Sequence, residues 1–336
     1  MSPLQKMKYL VTGGTGFIGS ALVRRLVREG AVVRVFDNNL RGTPARLAAV
    51  ADRIELIEGD IRDAGAVRDA CREIDSVCHL AYLNGTEFFY TKPELVLDIG
   101  VKGMVNVIDG CRGEGVKELV VASSSEVYHM PARIPTDETV GFSIPDPLNP
   151  RYSYAGGKII CELMAINYGR RNFDRVLIFR PHNVYGPDMG WEHVVPQFVV
   201  KMKALRGAAD GRRVPFPIQG TGEETRSFIF IDDLIEGLMR ILEKGEHLGI
   251  YHIGTMEELS IRQVAVAVGE YFGRTIEIVP GRAAEGGPRR RCPDITKLKT
   301  LGFEPKVSFQ EGLRVTAKWY DENAHRDPHQ PRGTRP

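Results

Sequence analysis

Short apolar runs alternate with longer mixed stretches through the first half of the chain. Tyr9–Val11, Val32–Phe36, Ile54–Glu58, Ser76–Leu80, Glu118–Ala122 and Val176–Phe179 read as buried strands. Ile18–Glu29, Asp63–Cys71, Pro93–Gly110 and Tyr152–Arg171 read as helices between them. Such alternation implies a parallel sheet covered by helices on both faces. After Arg180 the pattern loosens, and Pro and Gly become frequent between 181 and 222. Phe228–Ile231 reads as a strand returning to the sheet, with a helix starting at Asp232. Ile261–Tyr271 and Phe309–Tyr320 read as helices of a smaller, irregular lobe. The polar segment Glu322–Pro336 is expected to fray or be disordered.

The run Val11-Thr12-Gly13-Gly14-Thr15-Gly16-Phe17-Ile18-Gly19 joins the first strand to the first helix. Its glycine spacing fits a dinucleotide fingerprint. Gly13 permits the tight turn, Gly16 lets backbone approach a pyrophosphate, and Gly19 lets helix pack on strand. Backbone N–H groups at the helix start, around Phe17 and Ile18, can then hold the diphosphate. The second strand ends in Asp37-Asn38, near the expected distance for a ribose-binding acid. A carboxylate there accepts from both ribose hydroxyls and repels a 2′-phosphate, which favours NAD over NADP. Arg34 and Arg41 lie close in sequence and oppose that preference.

These features predict an α/β fold: a Rossmann-type, doubly wound parallel sheet with a smaller mixed C-terminal substrate lobe. Residues 1–180, with about 228–253, are assigned to the NAD-binding unit. Residues 181–227 and 254–321 are assigned to the lobe. Ligands of such sheets sit outside the carboxyl ends of the strands. Gly13, Asp37, Asp60, His79-Leu80-Ala81 and Ser123-Ser124-Ser125 all fall just after strands. Tyr154 and Lys158 lie four apart at the start of a predicted helix, hence on one face. A nearby ammonium favours a phenolate, so Tyr154 is a candidate base on a substrate hydroxyl.

Composition narrows the classes without naming one. The 336 residues are 43% hydrophobic and 26% charged, ordinary for a globular protein. A net charge of +2 gives no overall field toward nucleic acid or a membrane. No apolar stretch is long enough to span a bilayer, and Met1–Lys8 lacks a signal peptide's apolar core. Five cysteines at irregular spacings read as reduced thiols in a cytoplasmic protein. No His/Cys/Asp cluster has metal-ligand spacing.

In chain order, TGGTGFIG (12–19), Asp37, GDI (59–61), HLA (79–81), SSSEVY (123–128), YxxxK (154–158), RPHNVYGP (180–187), TRSFIFIDD (225–233) and RCPDI (291–295) resemble one family. It is the extended short-chain dehydrogenase/reductases, specifically the nucleotide-sugar epimerases, dehydratases and decarboxylases. The resemblance runs from about Lys8 to Tyr320. It implies hydride transfer from a sugar carbon to NAD through a transient 4-keto sugar. Ser124, Tyr154 and Lys158 would be the catalytic set, with Lys158 also at the nicotinamide ribose. Asp60 and Ile61 would lie at the adenine. Gly13, Gly16, Phe17, Ile18, Gly19, Asp37, Asn38, Leu80 and Ala81 would complete the cofactor site. Asn183, Arg226 and Arg291 would bind the nucleotide-sugar diphosphate. Ser125-Glu126 resembles the pair carried by 4,6-dehydratases and glucuronate decarboxylases, making both candidates for extra acid/base work. The alternative is that Glu126 orders the loop or the substrate.

Epimerisation, dehydration and decarboxylation stay open, as do a net NAD(P)-dependent sugar reductase and, remotely, a non-catalytic NAD-binding regulator. Relatives pair through helices matching Pro93–Arg112 and Tyr152–Arg171, so a homodimer is expected. Its candidate seam is Leu95, Ile99, Val105, Ile108, Ile159, Leu163 and Ile166. Three positions depart from the family pattern. Gly100 stands where an asparagine is usual, His129 where a glycine is common, and Gly157 where a small hydroxyl residue is usual.

Overall fold

The computed structural model describes residues 7–205, 213–282 and 286–328. Its first half runs β1 (Lys8–Thr12), α1 (Phe17–Arg28), β2 (Val32–Asp37), β3 (Ile54–Glu58), α2 (Ala64–Ala70), β4 (Ser76–His79), α3 (Thr86–Thr91), α4 (Pro93–Leu97), α5 (Gly103–Glu114), β5 (Glu118–Ala122), α6 (Tyr152–Asn172) and β6 (Arg175–Pro181). The second half runs β7 (Val184–Tyr185), α7 (Val194–Ala204), β8 (Val214–Ile218), β9 (Thr225–Arg226), β10 (Ile229–Phe230), α8 (Ile231–Lys244), β11 (Gly249–Ile253), β12 (Leu259–Ser260), α9 (Ile261–Tyr271), β13 (Ile276–Pro280), β14 (Arg290–Arg291), α10 (Thr296–Lys299) and α11 (Phe309–Asn323).

Seven parallel strands form the main sheet in the order β11-β6-β5-β4-β1-β2-β3. The order reverses beside β1, so the carboxyl ends of β1 and β4 flank the crevice where ligands of such sheets bind. Each face buries its own apolar core. One packs α1, α8 and the second lobe through Leu22, Leu26, Leu234 and Leu238. The other packs α2, α5 and α6 through Val67, Val107, Ile108 and Ala165.

The predicted strands hold, with one correction. Residues 228–231 do not rejoin the main sheet. Ile229–Phe230 pairs with Val184–Tyr185 in a separate two-stranded ribbon, and β11 is the strand that returns. The misread run is the more apolar of the two, and only tertiary pairing separates them. The single helix expected over Pro93–Gly110 is interrupted by a π-helical turn at Asp98–Lys102. The tail expectation is corrected over Glu322–Arg326, which continues α11 and a short 3₁₀ turn. Residues 329–336 lie outside the described residues. In the lobe, Ser260 and Ser308 open α9 and α11 with reciprocal capping boxes to Gln263 and Glu311.

Beneath the carboxyl ends of β5 and β6 lies a fully buried ion pair. Arg180 Nε and Nη2 reach the two Glu162 oxygens at 2.8 and 2.6 Å, with side-chain exposures of 2% and 0%. Ser123 also donates to Glu162, and Arg180 donates to the Tyr128 hydroxyl. Removing one partner strands the other charge in the core, at a cost of about 3–5 kcal/mol. Glu162→Gln is therefore expected to lower the urea midpoint by a corresponding amount. A midpoint unchanged from the parent protein would show that the pair contributes nothing to stability.

Candidate active site

A cleft of about 660 Å³ opens at the carboxyl ends of the strands. It brings together Gly13, Gly16, Phe17, Ile18, Gly19, Asp37, Asn38, Ile61, Leu80, Ala81, Ser124, Ser125, Glu126, Tyr154, Lys158, Asn183 and Arg291. Two expected residues, Asp60 and Arg226, do not line it. Asp60 is held at the rim, where hydrogen bonds from Arg62 pull its carboxyl down to about 2. Arg226 directs Nη1 to the Thr225 carbonyl at 2.7 Å.

The glycine turn fits a dinucleotide. Gly13 sits at φ +73°, and a Cβ there would collide with the Ala81 backbone. That contact draws the turn against the end of β4. α1 opens on Gly16, which offers no side-chain cap. First-turn N–H groups are thus left for an anion such as the NAD diphosphate. Asp37 accepts the Thr15 and Asn39 N–H groups, each at 2.9 Å, which fixes its carboxylate in the cleft lining. Arg34 does not contest the site. It points away, to Glu55 and the carbonyls of Ala70 and Arg72. Arg41 does line the cleft, ion-paired to Glu192 at 3.4 Å. That pair and Arg46–Asp188, at 2.8 Å, tie the loop after β2 to the loop before α7. Neither tie was legible beforehand, since each joins residues more than 140 apart.

Ser124 caps the 3₁₀ turn Ser125–Tyr128, accepting the Glu126 N–H at 3.2 Å. Its hydroxyl side also faces the Tyr154 phenol and opposes the burial-driven rise in that group's pKa. Lys158 lies one turn further along α6 and donates to the Ala122 carbonyl at 2.6 Å. Burial brings the Lys158 ammonium down to about 8. Burial also raises the Tyr154 phenol, outweighing the opposing Ser124 hydroxyl. The expectation of a phenolate favoured by Lys158 is corrected for this state. The ammonium lies 5.8 Å from the Tyr154 ring centre, but 3.9 Å from that of Tyr82, a residue the motifs did not single out. Under the site, Thr12 Oγ1 and His79 Nδ1 lie 2.8 Å apart. Burial first, and Lys158 second, hold His79 neutral with a pKa of about 3.

The opposite wall is cationic. β14 carries Arg291 alongside β9, and Arg291 donates to Glu126 Oε1 at 2.9 Å. Arg151, just before α6, reaches the same oxygen at 3.6 Å. Burial pushes the Glu126 carboxyl up, but Arg291, Arg151 and Arg226 together outweigh it and hold it at about 2. Arg291 Nη2 and Arg151 Nε are buried with no protein partner. His129 adopts φ +50°, which explains why glycine is common there, and its Nε2 lies 2.9 Å from the Tyr152 hydroxyl. Asn183 Nδ2 donates to the Ser227 carbonyl at 2.8 Å, which fixes its amide at the cleft edge. His182 lies beneath, packed against His252 and held neutral by burial. Among the described residues no group of His, Cys, Asp or Glu is placed to hold a metal ion.

A Cβ at Gly19 would collide with the Gly13 carbonyl and displace the turn. Gly19→Ala is expected to weaken NAD binding about 10- to 100-fold, equivalent to the ~1–3 kcal/mol of overpacking strain. Fluorescence titration measures this, and an unchanged affinity would show that the turn does not hold the cofactor.

The family model "NAD dependent epimerase/dehydratase family" matches residues 9–254. UDP-glucuronic acid decarboxylase 6 of Arabidopsis thaliana is 35% identical over 91% of this chain and 87% of its own. The crystal structure of DesIV, a dTDP-glucose 4,6-dehydratase from Streptomyces venezuelae with NAD bound, superposes with TM-score 0.84 at 30% identity, covering 96% of this chain and 99% of that one. UDP-glucose 4-epimerase of Thermus thermophilus, also complexed with NAD, gives TM-score 0.80 at 30% identity, covering 94% and 99%. With a dinucleotide turn, an unobstructed Asp37 and a Ser–Tyr–Lys set in one cleft, the chain belongs to the NAD-dependent epimerase/dehydratase family and is an NAD-dependent enzyme.

Proposed function

We propose that the protein oxidises C4 of a nucleotide-linked hexuronic acid and releases C6 as carbon dioxide. The observation that carries this reading is the state of Glu126. Loss of a C6 hydroxyl would need a proton donor for the departing oxygen. Ser125 is too weak an acid, and Glu126 is held ionised by Arg291 and Arg151. Decarboxylation needs no such donor. The C5–C6 bond breaks and its electrons pass into the 4-keto group. C5 then takes a proton, and C4 takes back the hydride while its oxygen regains a proton, so that loss of carbon dioxide is the only net change. The unpartnered donors on Arg291 and Arg151 suit an anionic sugar. Several UDP-glucuronic acid decarboxylases align over nearly the whole chain at 31–35% identity.

Bound NAD supplies a hydride acceptor and a cationic ring. In this reading Ser124 hydrogen-bonds the C4 oxygen, Tyr154 takes its proton, and Lys158 holds positive charge beside both. Asn183 and Arg226 are assigned to the diphosphate side of the substrate, and Arg291 to the anionic sugar. Residues 1–180 with 228–253 hold the cofactor, and the remaining lobe closes over the sugar nucleotide. Five free, buried cysteines support a cytoplasmic location. No described helix is long and apolar enough to cross a membrane.

Purified protein with NAD is to be incubated with UDP-, GDP-, CDP- and dTDP-sugars, glucuronates included, and product masses recorded. The expected product is a nucleotide-glucuronate lighter by carbon dioxide. Loss of water from a hexose, or isomers of unchanged mass, would overturn decarboxylation. Because this route does not use Glu126 as an acid, Glu126→Gln is expected to keep turnover within about tenfold of the parent enzyme with NAD affinity constant, and a loss of about 10² or more would show that Glu126 transfers a proton.

A homodimer is proposed through α4, α5 and α6, with the seam revised. Ile99 and Ile108 are buried in the protein's own core, whereas Leu97, Val105, Ile160 and Leu163 are 37–46% exposed. Leu163→Glu is expected to yield a monomeric mass by light scattering at micromolar concentration. A monomeric parent protein would refute the assembly.

A further inference from the structure

Two of the departures from the family pattern meet at one side chain. Gly100 lies in the π-helical turn, Gly157 lies in α6, and a Cβ at either would collide with the Tyr82 phenol. At Gly157 the obstruction is the hydroxyl oxygen, since the ring carbon behind it is 3.4 Å away. The Tyr82 hydroxyl is buried and has no hydrogen-bond partner. A buried unpaired hydroxyl is unfavourable, so the ring, not the oxygen, accounts for a tyrosine here. One ring face carries the Lys158 ammonium at 3.9 Å, and the Tyr154 ring meets Tyr82 edge-on at 5.2 Å.

We infer that Tyr82 is a positioning residue for Lys158, its ring forming a charge-free seat that Gly100 and Gly157 leave room for. The other groups around the ammonium explain why an aromatic face is needed. The Ala122 carbonyl takes one proton of the ammonium. His79, facing it from β4, is held neutral by burial and by Lys158 itself. On α6, burial pushes the Cys161 thiol up to about 11, so it too stays neutral, and Glu162 is committed to Arg180 and Ser123. Tyr154 is the remaining neighbour. A carboxylate partner would hold Lys158 equally well but cancel its field at Tyr154. A ring face attracts the cation and leaves the charge in place. The stabilisation favours protonated Lys158 and opposes the burial that lowers its pKa.

This inference rests on Lys158 and Tyr154 acting at the oxidised hydroxyl as proposed above. The test compares Tyr82→Leu, Tyr82→Phe and Lys158→Met by steady-state kinetics across pH, on whichever nucleotide sugar the parent enzyme turns over. Tyr82→Leu is expected to lower kcat about tenfold with KM unchanged, and to move the alkaline limb of the profile down by about one pH unit. Tyr82→Phe keeps the ring and is expected to match the parent enzyme. If Tyr82→Leu matches the parent in kcat and alkaline limb while Lys158→Met is inactive, the positioning role is wrong. If Lys158→Met keeps full turnover, the catalytic reading fails first.

A second comparison holds should Tyr82→Leu not fold. Gly157→Ala places a methyl against the Tyr82 hydroxyl and is expected to lower kcat and shift the alkaline limb as Tyr82→Leu would. In the Tyr82→Phe background the obstructing oxygen is gone, so the same Gly157→Ala change is expected to be silent. Equal effects of Gly157→Ala in both backgrounds would overturn the inference.

Discussion

The buried pair of Arg180 and Glu162 is the constraint on which the site depends. Glu162 lies one helical turn beyond Lys158 on α6, and Arg180 stands at the end of β6. Their two short bonds fix the helix over the sheet at one height. Ser123 joins the same carboxylate, so the end of β5 is drawn into register with both. Ser124, Tyr154 and Lys158 are thereby positioned by a charge pair that none of them touches directly in carrying out chemistry. Such a pair adds little net stability over an apolar replacement. What it supplies here is orientation, because two bidentate bonds allow one arrangement of helix and strand, whereas apolar packing tolerates sliding.

Above that pair the two walls of the cleft treat charge in opposite ways. On the α6 side a single ammonium is desolvated and held by the Ala122 carbonyl and the Tyr82 ring, with no carboxylate bonded to it. On the β14 side a single carboxylate is surrounded by guanidinium groups, so its basicity is suppressed. The first arrangement suits removal of a hydroxyl proton during oxidation. The second suits attraction of a negative group and resists proton donation. Both arrangements line one crevice, the first from α6 and the second from β14 and the turn after β5.

Much of this was legible in the sequence because it is local. The glycine turn, Asp37, Ser124 and the Tyr154–Lys158 pair each combine a short motif with a nearby strand or helix signal, and all line the cleft. Asp60 and Arg226 stand outside the cleft lining, which a motif could not show because it gives position along the chain, not the partners a side chain meets. Arg62 and a backbone carbonyl claim those side chains. The ribbon at Ile229–Phe230 was misread because an apolar run does not say which strand it will pair with. Arg151, Arg46 and Glu192 escaped notice because their partners are distant in sequence.

Tyr82 shows the same limit in sharper form. The sequence marks Gly100 and Gly157 as unusual, and each alone reads as a lost interaction. Neither reveals that the two vacated volumes adjoin, because the two glycines stand 57 positions apart on different elements. Only the fold shows one phenol ring occupying both spaces. The ring then does what the missing side chains could not: it faces Lys158 as an apolar surface with a negative face. A departure at one position would weaken the site. Departures at both, filled by a single aromatic group, give the lysine a packed ring face in place of a charged partner.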